Sequence, residues 1–395
     1  VSQAHKPINM HIRVNEVAAQ SEEHWLLCFP LHIIDHYIII NTFGETRPTM
    51  AFVPEPLRML ATSPALGDLS SDGPLAYALR QKLTGWVKMP ATLNLESNMV
   101  LVTGATSGVG YQTARQVLHL GADLVIGARD MAKAKQCIQE LQKECPQAKV
   151  TALQLDLEKL ESVDEFVRGL QERNIKLDIA ILNAGFYTRN SRVTVDGFDA
   201  LFQVNFVATA YLALQILPLM ASSNAEPARL VLVTSEAHAW ARFDTQQLHG
   251  ASPWSAFATS ATQDQAAETY STAKLLLALF GRELAARMER RQVCVVLTTP
   301  GFCASSFFPE QGICMALVNL TSARSTQAGA RLHVYAAAVA PAEQVHGHYL
   351  RDGAVCKLSA LAESSEGQRL QGLVWRETEA LCQRRRERLP DAKVL

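Results

Sequence analysis

From Met99 onward, short runs in which nearly every residue is apolar alternate with longer stretches whose apolar positions recur at helical spacing. A strand that is apolar on both faces must be covered on both, and strands separated by a helix's length of chain are joined in parallel. The runs are 99–103, 123–127, 149–154, 178–182, 229–234 and 293–298, with a weaker one near 348–351. Helix-like stretches lie near 109–120, 131–144, 161–173, 198–221 and 270–291. The order predicts an α/β fold built on a doubly wound parallel sheet, whose ligand lies across the carboxyl ends of the strands.

The segment before this pattern has a different texture. Residues 50–96 carry Pro54, Pro56, Pro64 and Pro74 and a Ser-Ser-Asp-Gly-Pro cluster at 70–74, which breaks regular structure except for a short helix expected near 75–86. The expected organisation is an irregular, partly disordered N-terminal extension over 1–96, a single catalytic domain over 97–380 and a basic tail over 381–395, with Arg384-Arg385-Arg386 as a solvated helix end or tail. Residues 1–49 precede Met50, hold no catalytic motif and are expected to be dispensable. The apolar stretch 25–43 is broken by Pro30, His32, Asp35 and His36 and is rejected as a membrane span.

Composition narrows the function classes. With 37 Lys+Arg against 38 Asp+Glu, nothing draws the chain to nucleic acid or anionic lipid, and 48% hydrophobic residues suffice for a full core. The eight cysteines show no C-x-x-C pair and no histidines at ligand spacing, so no metal site is expected; reduced thiols fit a cytoplasmic setting.

The first strand runs into Thr103-Gly104-Ala105-Thr106-Ser107-Gly108-Val109-Gly110 and then directly into a helix. Glycines serve where the backbone takes positive φ and where phosphate oxygens approach the main chain at a helix N-terminus. Strand, glycine loop, helix and a second strand ending about 20 residues on form the arrangement of a dinucleotide site in a Rossmann fold. Gly104, Ser107, Gly108, Val109 and Gly110 are its candidate contacts. At the second strand end, Gly127-Ala128-Arg129-Asp130 offers both charges. An arginine there complements a 2′-phosphate and favours NADP; a carboxylate accepts from a ribose 2′-OH and favours NAD. Arg129 is taken as the reader and Asp130 as a helix N-cap, with NAD the weaker alternative.

Two further motifs follow, Asn183-Ala184-Gly185 at the fourth strand end and Tyr270-Ser271-Thr272-Ala273-Lys274 on a helix. Four residues apart, a phenol and an ammonium share one helix face, and the positive neighbour is expected to lower the phenol's pKa. Y-x-x-x-K alone is weak. In order with the glycine loop, N-A-G and a strand-terminal Ser235, it resembles the short-chain dehydrogenase/reductase family over about 97–360.

That resemblance implies Tyr270 as general acid/base, Lys274 as ribose contact and pKa modulator, Ser235 as the carbonyl-polarising hydroxyl and Asn205 as the holder of a proton-relay water. It further implies Asp156, with Leu157 beside it, at the adenine, Asn183, Ala184 and Gly185 on the cofactor side of the sheet, and Pro300 and Gly301 beside the nicotinamide. A homodimer through the helices near 198–221 and 270–291 is also implied. Gly127 to Asp130, Ser235-Glu236-Ala237-His238 and Tyr349 to Gly353 resemble the branch of retinol dehydrogenases and WW-domain oxidoreductases, and the stretch from Ser365 through Trp375 resembles its fungal secondary-metabolite reductases.

Departures are visible. The threonine that usually follows P-G is missing, so a serine of Cys303-Ala304-Ser305-Ser306 must substitute, and Val207-Ala208-Thr209 replaces the usual glycine after Asn205. The 34 residues between Ser235 and Tyr270 carry Trp240, Phe243, Trp254 and Phe257, which either line an apolar pocket or pack the insertion onto the domain. His238 reads as a hydrogen-bonded strand-end histidine and Cys303 as a packing residue. The expected activity is NADP-dependent hydride transfer between nicotinamide and a carbonyl or hydroxyl of an apolar or aromatic small molecule, in the manner of fungal secondary metabolism. The alternatives are a retinoid- or steroid-type alcohol dehydrogenase and a non-catalytic dinucleotide-binding regulator.

Overall fold

The computed structural model describes residues 80–81, 87–220, 227–241, 254, 257, 261–262, 265–307 and 323–388. The expectations for residues 1–49 and, apart from 80 and 81, for the helix near 75–86 lie outside the described residues. The main domain alternates β1 (Met99–Thr103), α1 (Gly108–His119), β2 (Asp123–Ala128), α2 (Met131–Glu144), β3 (Val150–Gln154), α3 (Leu160–Glu172), β4 (Ile179–Leu182) and α4 (Ala200–Leu219). It continues through β5 (Ala228–Val233), a 3₁₀ turn (Glu236–Trp240), α5 (Ala266–Arg287), β6 (Val293–Thr298), α6 (Thr326–Ala338), α7 (Ala342–Val345), β7 (Tyr349–Arg351), β8 (Ala354–Cys356), α8 (Ala360–Glu363) and α9 (Ser365–Arg388).

The sheet order is β3-β2-β1-β4-β5-β6-β7-β8, parallel except for the β7–β8 pair. Strand order reverses between β1 and β4, which opens a crevice above their carboxyl ends. Two-faced burial follows from strand alternation: Leu101, Ala180, Leu182, Leu230, Leu232, Val295 and Leu297 enter the core formed with α3, α4, α5 and α9. Their neighbours Val100, Val102, Ile179, Ile181, Val231, Cys294 and Val296 enter the core formed with α1, α2 and α6. Each strand therefore holds the sheet to both helical layers.

Two boundaries differ from the sequence expectation. The weak run near 348–351 is β7, but it continues into a hairpin: Asp352 (φ +54°) and Gly353 (φ +81°) make a two-residue turn with both residues in the left-handed region, the geometry for which Asp-Gly is suited. Of the basic tail expected over 381–395, the described part, 381–388, forms the last turns of α9. Leu381 and Cys382 are buried, and Arg385 forms an ion pair with Asp164 of α3, because the helix keeps an apolar face toward the core through its basic run.

The helices expected to face a second copy are covered within the chain. Long and apolar enough by length and composition to cross a membrane, α4 is a core helix, with 89% of its apolar window buried. On α5, Phe280 stacks on Trp375 of α9 at 5.9 Å, while the Arg287 guanidinium lies 4.5 Å from the Trp375 ring. Arg282 adds a hydrogen bond to the Ala362 carbonyl at 2.7 Å. Trp375→Ala would leave a cavity between α5 and α9; a loss of about 3–5 kcal/mol is expected in urea unfolding, and a loss under about 1 kcal/mol would show that α9 is not part of the core.

Candidate active site

The loop after β1 turns on Gly104 (φ +67°) and Gly108 (φ +58°), both in the region that favours glycine. Gly110 is constrained by space: a Cβ there would stand 2.2 Å from the Gly104 carbonyl oxygen and 2.5 Å from Asn183 Nδ2. Asn183 ties this loop to β4. Its Nδ2 donates to the Thr103 carbonyl at 3.0 Å, and the Ala184 N–H donates to Thr103 Oγ1 at 3.0 Å. Ser107 is the N-cap of α1, but its side chain makes no capping bond and the first turn carries no acid. In α2, by contrast, Asp130 accepts from the N–H groups of Ala132 and Lys133 at 3.0 Å each. An uncapped helix end behind a glycine loop suits a phosphate. Of the serines expected to substitute for the missing threonine, Ser305 lies against the glycine loop: its Cβ is 3.7 Å from where a Cβ on Gly108 would stand.

At the outer end of the crevice, a cleft of about 480 Å³ is lined by Arg129, Asp156, Glu158, Lys159 and residues 192–195. Arg129 is largely exposed, and its guanidinium donates to Glu158 Oε1 at 2.9 Å. Glu158 also pairs with Arg192, which sequence reasoning did not single out. Asp156 Oδ1 accepts from the Glu158 N–H at 3.1 Å, and buried Leu157 offers its carbonyl to Gln203 Nε2 at 3.1 Å.

The four candidate catalytic residues converge at the inner end. Asn205 lies in a π turn, Gln203–Val207, inserted into α4, a distortion frequent at functional sites. The Thr209 hydroxyl donates to the Val204 carbonyl at 2.8 Å, so the Val-Ala-Thr departure bonds back onto this turn. Asn205 Nδ2 donates to the Phe186 and Leu201 carbonyls at 2.9 Å each, while its buried Oδ1 has no hydrogen-bond partner. That oxygen and Lys274 Nζ would stand 2.7 and 3.4 Å from a Cβ on Gly185, so only glycine leaves the space between them clear. Lys274 Nζ donates to the Val233 carbonyl at 3.1 Å and lies 5.9 Å from the Tyr270 ring centroid. The Ser235 hydroxyl stands beside that of Tyr270, where it favours the ionised phenol. Ser235 also N-caps the 3₁₀ turn, accepting from the Ala237 N–H at 3.1 Å.

Burial dominates the titration of this corner. It pushes the Tyr270 phenol up to about 12, with the Ser235 hydrogen bond opposing it, and pulls the Lys274 ammonium down to about 8. The expected lowering of the phenol by its lysine is therefore absent here, since removing the phenolate from water costs more than its neighbours return.

The aromatic residues of the insertion divide. Trp254 is buried against Phe202 and Phe206, and Phe257 stacks on Phe202 at 3.9 Å, so both pack the insertion onto the domain. Trp240 is half-exposed, and Phe243 lies outside the described residues. The rings that meet Tyr270 edge-on are Tyr187 at 5.9 Å and Phe307 at 5.6 Å, which no local motif signalled. His238 is buried, with Nδ1 bonded to the Ser235 carbonyl at 2.7 Å and Nε2 accepting from the Ser359 N–H at 3.1 Å. Cys303 bonds the Pro300 carbonyl at 3.4 Å, and burial raises its thiol to about 12, which suits packing rather than nucleophilic attack. Among the described residues no cluster of three or more His, Cys, Asp or Glu is placed to hold a metal.

The residues fit a dinucleotide. The glycine cradle admits no Cβ at Gly104 or Gly110, the end of α1 is uncapped, and the unpartnered Asn205 oxygen faces the space beside Lys274. The family model for short chain dehydrogenases matches residues 98–253. Short chain dehydrogenase rstn4 of Aspergillus nomiae is 50% identical over 342 residues, covering 83% of this chain and 92% of that protein. The human WW domain-containing oxidoreductase is 30% identical over 328 residues, covering 82% of this chain and 78% of its own. Among solved structures, RhlG of Pseudomonas aeruginosa, in an NADP active-site complex, superposes with a TM-score of 0.51 at 22% identity, covering 66% of this chain and 97% of that one.

The histidine behind Ser235 generates a pH dependence of stability. Burial lowers His238 to about 4, whereas an unfolded histidine protonates near about 6.5. The unfolded chain therefore binds the extra proton first, and stability that is full above pH ~6.5 is lost as pH falls toward ~4, by up to about 1.4 kcal/mol per pH unit. Urea unfolding between pH 7 and 5 should show this loss, and His238→Gln should shrink it; an unchanged slope would place His238 in water.

Proposed function

The chain belongs to the short-chain dehydrogenase/reductase family, and on that premise we propose that it is an NADP-dependent reductase of apolar or aromatic carbonyl compounds, working in fungal secondary metabolism. The observation that carries the reading is the Ser235–Tyr270 hydroxyl pair set beside buried Lys274. The fungal setting draws support from the Aspergillus relative, and the cofactor choice from Arg129 at the end of β2 together with the NADP held by RhlG.

Gly104, Ser107, Gly108, Val109 and Gly110 would hold the pyrophosphate at the α1 N-terminus, with Asn183, Ala184 and Gly185 beside it and Pro300 and Gly301 along the nicotinamide. Arg129 would take the 2′-phosphate and Asp156 with Leu157 the adenine. When bound, the cofactor supplies or accepts the hydride. The protein's own part is proton control and charge stabilisation. With its phenol raised to about 12, Tyr270 holds its proton at neutral pH, the form that can deliver it to a carbonyl oxygen. Ser235, beside that hydroxyl, donates to the same oxygen as charge develops. Lys274 stands behind the phenol with its ammonium, and the free Asn205 oxygen would hold a water joining Lys274 to solvent. Tyr187 and Phe307 flank Tyr270 with apolar surface suited to an apolar or aromatic substrate.

Tyr270→Phe should lower kcat by about 10²–10⁴-fold while leaving the cofactor Kd unchanged by calorimetry; activity near wild type would remove Tyr270 from the mechanism. Because Lys274 loses its proton near pH 8, reductase kcat should fall above that pH, and the fall should vanish in Lys274→Arg. The same limb persisting in that variant would belong to another group.

Cofactor choice is tested by dissociation constants for NADPH and NADH. Charge-assisted bonds from Arg129 to a 2′-phosphate are worth about 1.5–3 kcal/mol each, so NADPH should bind at least about tenfold more tightly. Arg129→Ala should erase most of that preference and spare NADH. Asp130 is engaged in capping α2, so Asp130→Ala should leave the preference intact. A wild-type preference for NADH that disappears only in Asp130→Ala would reverse the assignment.

A further inference from the structure

One buried polar cluster lies against the site without taking part in the chemistry just described. Arg80 and Gln81 precede β1 and fall outside the 98–253 match, yet they are 2% and 0% exposed. Arg80 Nη1 donates to Glu236 Oε1 at 3.0 Å and to Asp352 Oδ2 at 2.6 Å, and Nη2 to Glu236 Oε2 at 3.4 Å. Gln81 Nε2 donates to Glu236 Oε2 at 3.2 Å, and Gln81 Oε1 accepts the Phe302 N–H at 3.2 Å. Arg324 closes the ring, donating to Asp352 Oδ1 at 2.7 Å and to the Pro300 carbonyl at 3.4 Å. Two cations thus face two anions. Removing one member would strand a buried partner.

The ends of these bonds matter more than their number. Glu236 directly follows Ser235 and opens its 3₁₀ turn. Pro300 and Phe302 flank Gly301, where a Cβ would stand 2.6 Å from Gln81 Oε1 and 2.8 Å from Arg324 Cζ. The short segment before the domain therefore presses at once on the turn that carries the Ser235 hydroxyl and on the turn assigned to the nicotinamide.

We propose that Arg80 and Gln81 are positioning residues of the active site, locking the Ser235 turn and the 300–302 turn in one register. The proposal rests on the reductase reading and adds to it a residue pair from outside the 98–253 match of the family model. Neither side chain touches the reacting groups. Their effect passes through Glu236 to Ser235 and through the Phe302 N–H to the Pro-Gly turn. Misplacement of reacting groups by about 1 Å can lower a rate by about a hundredfold without loss of binding, so the effect belongs in the chemical step.

The test uses the full chain with Gln81→Leu, Arg80→Ala and Arg80→Lys, and with Arg385→Gln as the control: a half-buried ion pair at the far end of α9, remote from the site. Thermal unfolding, NADPH binding, the emission of bound NADPH and the single-turnover rate of hydride transfer are measured on each. Gln81→Leu and Arg80→Ala are expected to lower the single-turnover rate by at least about tenfold, with NADPH affinity changed less than about threefold. The emission of bound NADPH, which reports how rigidly the ring is held, should fall in both. Arg80→Lys, which keeps the charge, should recover part of the rate, and added guanidinium ion should recover part of it in Arg80→Ala. Arg385→Gln should lower the melting temperature and leave the rate and emission alone. A Gln81→Leu protein with wild-type rate and emission overturns the proposal, as does a loss confined to melting temperature; if Arg80→Ala does not fold, Gln81→Leu decides alone. A wild-type protein that neither binds NADPH nor turns over on a ketone and aldehyde panel overturns the reductase reading itself, before any variant is compared.

Discussion

The hydrogen bonds from Asn183 and Ala184 back to Thr103 organise everything above the sheet. β1 and β4 are neighbours whose helices leave toward opposite faces, and the crevice between them exists only if their ends are held together. Asn183 Nδ2 reaches the Thr103 carbonyl and, at 3.4 Å, that of Gly104. Its amide thereby occupies the space that a Cβ on Gly110 would need. Glycine loop and strand end are shaped against each other, so the cradle is a property of the pair rather than of either motif.

The same economy recurs at the inner end of the crevice. Ser235 serves twice, as N-cap of a 3₁₀ turn and as the hydroxyl beside Tyr270, and its carbonyl also holds His238. A single turn thus fixes a hydroxyl, a neutral histidine and the start of a buried charge cluster. Burying polar groups so densely is favourable only when each is met by a partner. The unpartnered Asn205 oxygen is one of the exceptions among the described residues, and it lies where the chemistry calls for a further polar guest.

Burial also sets the protonation states. The phenol of Tyr270 and the ammonium of Lys274 move in opposite directions, up to about 12 and down to about 8, because desolvation disfavours each charged form. The pair as it stands is an acid at neutral pH. Removing Lys274 from water also gives its charge a reach that a surface lysine would not have.

What could be read from the sequence was whatever lives within about ten residues of chain. Short apolar runs located the first seven strands to within a residue, because a strand covered on both faces is apolar along its own length. The glycine loop, Asp130 as a cap and Tyr270 above Lys274 on one helix face are likewise local geometry. The Asp352-Gly353 turn is local too, but the reading of the sequence did not take it as a turn and so left the hairpin as a single weak strand. Other features required the closed fold. Arg80 meets Glu236 across 156 positions and Asp352 across 272, and no periodicity spans such distances. The packing of Trp375 over Phe280, the basic end of α9 folded onto Asp164, and the meeting of Tyr187 and Phe307 at Tyr270 are decisions of the same kind. Local chain stiffness and hydrophobic period determine which elements form, whereas their partners, and hence the pKa of every buried group, are set by which surfaces meet once water has been excluded.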